Sequence, residues 1–357
     1  MDRVLCSAPG RMALAGNPFD IYGGEAIALT LKDLRSIVEV KRSDRQIIHS
    51  DIFIPGNQRT SQRRQLELAT IETLDLQHHL FEHYDGSNMP YESALARSTA
   101  AVVAMIRAYS KLFGRGVVDK YEIAEQAWAT ERKLGVCGGQ ERYAIAFDDE
   151  ELPKDSLEKL LRDIKHRIIQ KTTRHGRMFY MDFRGREDHY FNGHNFAIIR
   201  ELSVPECNFA IAYQPPERAR LNSFSVHQIL REKYVSGWKE KIEQFRDESN
   251  RITQTALRTL SNHFRKDILG ECMMASLELR LRLYEQVLAD ELKGQPLCQD
   301  TLDMIQIAKK SRITGYNQPG SKSLCFIYTD ESEIEAFTQR GYKVIKVMHQ
   351  RSMPPPC

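Results

Sequence analysis

Apolar residues recur at three-and-four spacing through Ala96 to Phe113, Val118 to Leu134 and Leu157 to Gln170, which predicts an amphipathic helix over each stretch. Ahead of them, Val4 to Val40 sets apolar segments against the turn residues of "APG", "GNPFD" and "YGG", the pattern of paired strands joined by tight loops. "AIALTL" (26–31) and "RSIVEVKR" (35–42) read as two of those strands. The polar, partly basic "IPGNQRTSQRRQ" (54–65) reads as a mobile surface loop. Strand patterns return in "RMFYMDFRG", "HNFAIIREL" and "CNFAIAYQ", Ser225 to Leu292 is helical in pattern, and "KSLCFIYT" and "GYKVIKVMH" supply closing strands around a helix at Glu331 to Arg340. This is an α+β chain with no internal repeat, and its low complexity is confined to the terminal "PPPC".

Length adds lobes to this picture. At 357 residues a chain outgrows one core, so two lobes are expected, 1–200 and 201–357. A formal net charge of +3 with 28% charged residues is too even to imply a nucleic-acid or membrane surface. The seven cysteines are scattered, odd in number and without a C-x-x-C pair, which argues for reduced thiols in the cytoplasm and against a zinc site. The N-terminal "MDRVLCSAPGRMALAG" is not a signal peptide, and nowhere do eighteen apolar residues run together.

Neither G-x-x-x-x-G-K-[ST] nor a G-x-G-x-x-G after a strand is present. Instead, "APGRMALAGNPFDIYGG" resembles the first motif of the GHMP sugar kinases, A-P-G-R/K leading to G-E-H-x-D-Y-x-G-G. Ala8, Pro9, Gly10, Arg11, Gly16, Asp20, Tyr22, Gly23 and Gly24 fit it, with Asn17 and Pro18 where Glu and His are frequent. The resemblance implies that Arg11 polarises the reacting groups and that Asn17, Asp20 and Tyr22 bind substrate. A guanidinium suits phosphate or carboxylate, and a carboxylate accepts two hydroxyl hydrogen bonds. The plain alternative is a salt bridge between strand and loop.

The second motif of that family, P-x-x-x-G-L-x-x-S-S-A, opens a helix whose amides hold the ATP phosphates. Here it reads Pro90-Tyr-Glu-Ser-Ala94-Leu95-Ala96-Arg97-Ser98-Thr99-Ala100. Residues Ala94 to Thr99 are thus the implied nucleotide site, but Ala94 and Arg97 stand where glycine or a small residue is usual, and Glu92 adds negative charge. Arg97 either supplies a cationic phosphate contact or fills the site; an ordinary capped helix is the structural alternative.

"ERKLGVCGGQERYAIAF" (131–147) is similar to the segment L-G-x-x-x-G-x-Q-D-x-Y/V-A of heptose kinases and glucuronokinases. By that resemblance Glu131 binds Mg2+ together with Ser98, and Glu141 replaces the catalytic Asp, with one more methylene of reach. An exposed Glu-Arg pair is the bland reading. "SVHQILREKYVSG" (225–237) and "CMMASLELRLRLYEQ" (272–286) fit glucuronokinase runs and make His227 and Arg280 further candidates, although such stripes also serve as core. The last motif, K-F/I-T-G-S/A-G-G-G, is met by Arg312, Ile313, Thr314 and Gly315 and then interrupted by "YNQPGSKS", with Gly320 the survivor of the glycine run. Thr314 and Gly315 are its implied substrate contacts. Residues 148 to about 175, acidic then basic, look like an insertion.

The resemblance spans most of the chain. It implies a two-lobed GHMP-kinase fold, a ribosomal protein S5 domain 2-like N-terminal lobe plus a ferredoxin-like α+β C-terminal lobe. It implies an ATP- and Mg2+-dependent kinase for a glucuronate-like or heptose-like sugar, with no nucleic-acid or membrane partner and room for a homodimer. The alternative is a catalytically degenerate homologue that senses a ligand or binds a protein, favoured by the altered glycine motifs.

Overall fold

The computed structural model describes residues 2–50, 58–90, 93–114, 119–135, 137–168, 170–185, 197–214, 223–292, 299–319 and 323–349. Strand β1 (Arg3–Ala15) pairs antiparallel with β2 (Glu25–Arg42) around a short helical turn at Phe19–Tyr22. "APG" is therefore not a loop: it lies inside β1, where the register shifts between Pro9 and Gly10. A bulge accommodates a proline that has no amide hydrogen for the ladder. "AIALTL" and "RSIVEVKR" are two parts of the single strand β2, which pairs with β5 through its first part and with β4 through its second.

The remaining elements follow as β3 (Ile47–Ser50), α1 (Gln58–Thr73), β4 (Phe81–Ser87), α2 (Arg97–Leu112), α3 (Lys120–Arg132), α4 (Gln140–Phe147), α5 (Lys154–Lys165), β5 (Thr172–Asp182), β6 (Ile198–Leu202) and β7 (Asn208–Tyr213). Then come α6 (Ser223–Lys233), a π-turn at Tyr234–Trp238, α7 (Lys239–Ser261), α8 (Lys266–Val287), α9 (Ala289–Leu292), α10 (Gln299–Lys310), β8 (Gly315–Asn317), β9 (Ser323–Tyr328), α11 (Glu331–Thr338) and β10 (Lys343–Met348). The expected loop at 54–65 is helical from Gln58 onward: its polar start carries no apolar stripe, and the helix is held by Leu66 and Ile71 further along.

One mixed sheet runs β3-β4-β2-β5-β10-β7-β9-β8, with β1 on β2 and β6 on β5. The parallel pairing of β10 with β5 joins its two halves. Helix α2 lies on β1 and β2 with twelve buried residues, from Thr99 to Leu112. A second core forms where Phe19, Ile21 and Tyr22 pack with α7, α8, α10, β9 and α11. Within residues 148–175 lies the amphipathic helix α5, whose Leu157, Leu160, Leu161 and Ile164 pack with Ile37 of β2. Cys6, Cys137, Cys207, Cys272 and Cys325 are free and buried. Among the described residues no helix is long and apolar enough to cross a membrane.

Candidate active site

Arg11 leaves β1 just beyond the bulge, and its main-chain amide donates to the Leu95 carbonyl at 3.1 Å, tying the strand to the loop before α2. Its side chain is 3% exposed. The guanidinium donates to the Pro319 carbonyl at 2.8 Å and to the Ala94 carbonyl at 3.5 Å, and forms an ion pair with Glu141. One side chain thus joins the loop before α2, the start of α4 and the segment after β8.

The loop before α2 keeps the shape that glycine would give it. Ala94 and Ala96 both have positive φ, 58° and 57°, and Ala96 is the left-handed residue directly preceding the helix. An alanine there costs about 1–2 kcal/mol, so the conformation is imposed by the surroundings. It leaves the first-turn amides of α2 without intrahelical acceptors, the arrangement that receives anions. Leu95 is buried in the core, Ser98 is half-buried, and Arg97 turns back to donate to the Met89 carbonyl at 3.2 Å. Glu92 lies outside the described residues.

Asp20 does something its position in the sequence does not announce. It accepts from the amides of Gly139 at 2.5 Å and Gln140 at 2.9 Å, and so caps the N-terminus of α4 from across the molecule. Gly138 makes room, since a Cβ there would stand 2.5 Å from Asp20 Oδ2. Burial and the neighbouring Glu141 push the Asp20 carboxyl up to about 6 against the pull of the two amides.

Glu131, at the end of α3, and Arg142, on α4, form an ion pair with side chains 1% and 2% exposed. The Thr99 hydroxyl stands 3.1 Å from each Glu131 oxygen. The hydroxyl that reaches this carboxylate is therefore that of Thr99, one residue beyond Ser98. Arg142 also lies 3.8 Å from Glu141. Thr99, Glu131, Arg142, Glu141 and Arg11 make one continuous polar chain. Burial raises the Glu131 carboxyl, and Arg142 opposes that rise. Burial would raise Glu141 as well, but Arg11 and Arg142 outweigh it and hold the carboxyl down at about 2. His227 on α6 faces this cluster: burial lowers its ring to about 4, Glu141 opposes that shift, and Arg142, Arg280 and Arg11 add to it.

Several buried atoms in this one region have no hydrogen-bond partner among the described residues: Arg11 Nε, Asp20 Oδ1, Gln140 Oε1, Glu141 Oε2, Arg142 Nε and Nη1, and His227 Nδ1. Each such orphan costs about 1–3 kcal/mol, so their concentration marks a place built for polar company. The implied ATP fits the loop before α2, because the left-handed backbone is kept despite the missing glycines. An Mg2+ ion does not fit Glu131 as it stands. A dication on that carboxylate would lie roughly 4 Å from the Arg142 guanidinium, a repulsion on the order of 8 kcal/mol at an effective dielectric near 20.

The other residues implied by the resemblance make these contacts within the fold. Arg280 on α8 is buried and donates to the Asn17 carbonyl at 3.1 Å and the Gln318 carbonyl at 2.9 Å, bracing two loops. Tyr22 packs against Tyr234 with ring centroids 4.8 Å apart and the rings tilted at 35°, beside the π-turn. Thr314 and Gly315 lie against α8. Gly315 packs backbone to backbone on α8, where a Cβ would stand 2.1 Å from the Gly270 Cα. From that segment it is the Pro319 carbonyl that reaches Arg11. Gly320 lies outside the described residues. The remote cap by Asp20 and the partnership of Arg142 carry no local sequence signal.

No family model matches the chain, and no curated protein matches it by sequence. Solved structures do. The chain is similar to L. major mevalonate kinase in complex with R-mevalonate at TM-score 0.65 and 14% identity, covering 97% of this chain and 96% of the other. It is similar to Lactococcus lactis galactokinase complexed with galactose at TM-score 0.65 and 14% identity, covering 96% and 92%. It is similar to Streptococcus pneumoniae phosphomevalonate kinase, in complex with phosphomevalonate and AMPPNP, at TM-score 0.62 and 15% identity, covering 96% and 100%. The chain is thus built, along nearly its whole length, on the GHMP kinase fold that these small-molecule kinases share.

Proposed function

We propose that this chain is an ATP-dependent small-molecule kinase acting on a hydroxyl of a sugar or sugar acid, with the site between the two lobes expected at 1–200 and 201–357. The observation that carries the reading is the Arg11–Glu141 pair beside the α2 N-terminus, ringed by orphaned polar atoms. ATP would supply the transferable phosphoryl group, its phosphates received by the amides of Arg97, Ser98 and Thr99. Asp20 Oδ1 and Gln140 Oε1 are acceptors, as hydroxyl groups require, and Arg11 Nε is a donor for a charged or developing oxyanion. Glu141, fully ionised at neutral pH, orients the attacking hydroxyl by accepting its hydrogen bond. Phosphoryl transfer asks more for such positioning and charge stabilisation than for a strong base.

A second reading, binding without turnover, is favoured by one observation: Glu131, the metal ligand implied by resemblance, is already engaged by Arg142 and Thr99. A screen of ADP formation over neutral sugars and uronic acids separates the two. A kinase turns over at least one substrate and loses turnover on Glu141→Gln with ligand affinity retained. Ligand binding with no ADP from any acceptor, in the parent chain as in the variant, decides for the second reading.

A further inference from the structure

The carboxylate that a kinase of this fold would offer to a divalent ion already has a cation of its own. Glu131 and Arg142 come from consecutive helices, α3 and α4, and meet with both side chains more than nine-tenths buried. Thr99, from the first turn of α2, places its hydroxyl 3.1 Å from either Glu131 oxygen. Arg142 cannot swing away cheaply, because α4 is fixed at its N-terminus by Asp20 and its guanidinium is held on the other side by Glu141 at 3.8 Å.

The atoms left over include N–H donors beside the acceptors Asp20 Oδ1, Gln140 Oε1 and Glu141 Oε2. Arg142 Nε and Nη1 and Arg11 Nε are buried and have no hydrogen-bond partner among the described residues, Nη1 standing 3.8 Å from Glu141 as an ion pair only. These are N–H donors, which an anion satisfies and a metal ion cannot. They lie within one pair of linked groups, since Arg11 and Arg142 share Glu141, and Thr99 connects that pair to the anion-receiving end of α2.

We propose that Arg142 stands where a divalent ion would be required, so that the chain receives the phosphate groups of a nucleotide through guanidinium and helix amides, with no metal held by the protein. The proposal rests on the nucleotide site of the preceding reading. It changes what that site needs: charge neutralisation is built into α4 and does not depend on metal supply. Removing the guanidinium should return Glu131 to the role of an open carboxylate ligand.

Calorimetric titration of the full-length chain with ATP, once with Mg2+ in excess and once with EDTA, tests this directly. The expected result is affinities equal within about threefold. Electron paramagnetic resonance of Mn2+ added to the nucleotide-free chain should show no bound ion that Glu131→Gln removes. Arg142→Met should lose at least about tenfold in ATP affinity in EDTA and gain an Mn2+ site that the double variant with Glu131→Gln lacks. ATP binding by the parent chain that collapses in EDTA, or an Mn2+ ion released by Glu131→Gln, overturns the proposal while leaving the nucleotide site standing. No ATP binding under either condition overturns the nucleotide site itself. Should Arg142→Met not fold, the parent chain's two titrations still decide.

Discussion

Arg142 and Glu131 hold each other in the interior of the N-terminal half, 2% and 1% exposed, with no solvent to stand in for either partner. Removing one partner strands a buried charge, which typically costs about 3–5 kcal/mol, whereas removing both costs far less. Arg142→Met should therefore destabilise the chain by about that amount, and Glu131→Leu combined with Arg142→Met should recover most of it. Urea unfolding of the four members of the cycle measures the coupling. Additive losses would mean that the two charges are not energetically paired.

Asp20 and Glu141 impose opposite pH dependences. Asp20 has an ordinary value of 3.8 and about 6 in the fold, so the folded chain holds the extra proton between these values. Its contribution is present at low pH and falls as pH rises from about 4 to about 6, by an amount on the order of 3 kcal/mol before the coupling to Glu141 reduces it. Glu141 moves from 4.5 down to about 2, so its contribution is lost as pH falls from 4.5 towards 2. Asp20→Asn retains an oxygen to accept the Gly139 and Gln140 amides. It should flatten the stability profile between pH 4 and 6, read as Tm against pH, and leave the acid limb from Glu141 in place.

Gly270 and Gly315 are close because neither carries a side chain. A Cβ on Gly270 would stand 2.3 Å from the Thr314 carbonyl oxygen, and both obstacles at this crossing are backbone. Gly270→Ala must push α8 away from β8, with a cost of about 3 kcal/mol or more. Calorimetric Tm should fall by several degrees, and an unchanged Tm would show that the crossing is loose.

Ala94 and Ala96 sit in left-handed backbone for the sake of the α2 N-terminus. Ala96→Gly relieves the Cβ strain and gives back part of the gain as chain entropy, for a net stabilisation of roughly 0.5–1 kcal/mol. Its effect on ATP affinity, measured on the same preparation, should be small, because the conformation it favours is the one already present.

Helix α2 and strand β2 were legible in the sequence because burial of a regular face writes a regular pattern, and twelve residues of α2 are buried. The start of α1 was not legible, since its first turns are polar on every side. Glycine-for-alanine exchange hid the shape of the α2 loop: residue identity records the strain a position bears, not its φ. Arg11, Asp20, Glu131 and Glu141 lie close together in the fold. Arg142, which links two of them, occupies a variable position of the motif. Its importance follows from two carboxylates that meet only when α3 and α4 pack. The capping of α4 by Asp20 spans 119 positions and is invisible to any local window.

Strand β2 carries a last implication. Its 18 residues run without interruption from Glu25 to Arg42, pairing with β5 from Glu25 to Leu31 and with β4 from Ser36 to Arg42. One strand, with irregular register near its middle, is thereby shared by both flanks of the sheet. Both flanks of the sheet therefore hang on one backbone, and a displacement of β2 along its length is felt by both ladders.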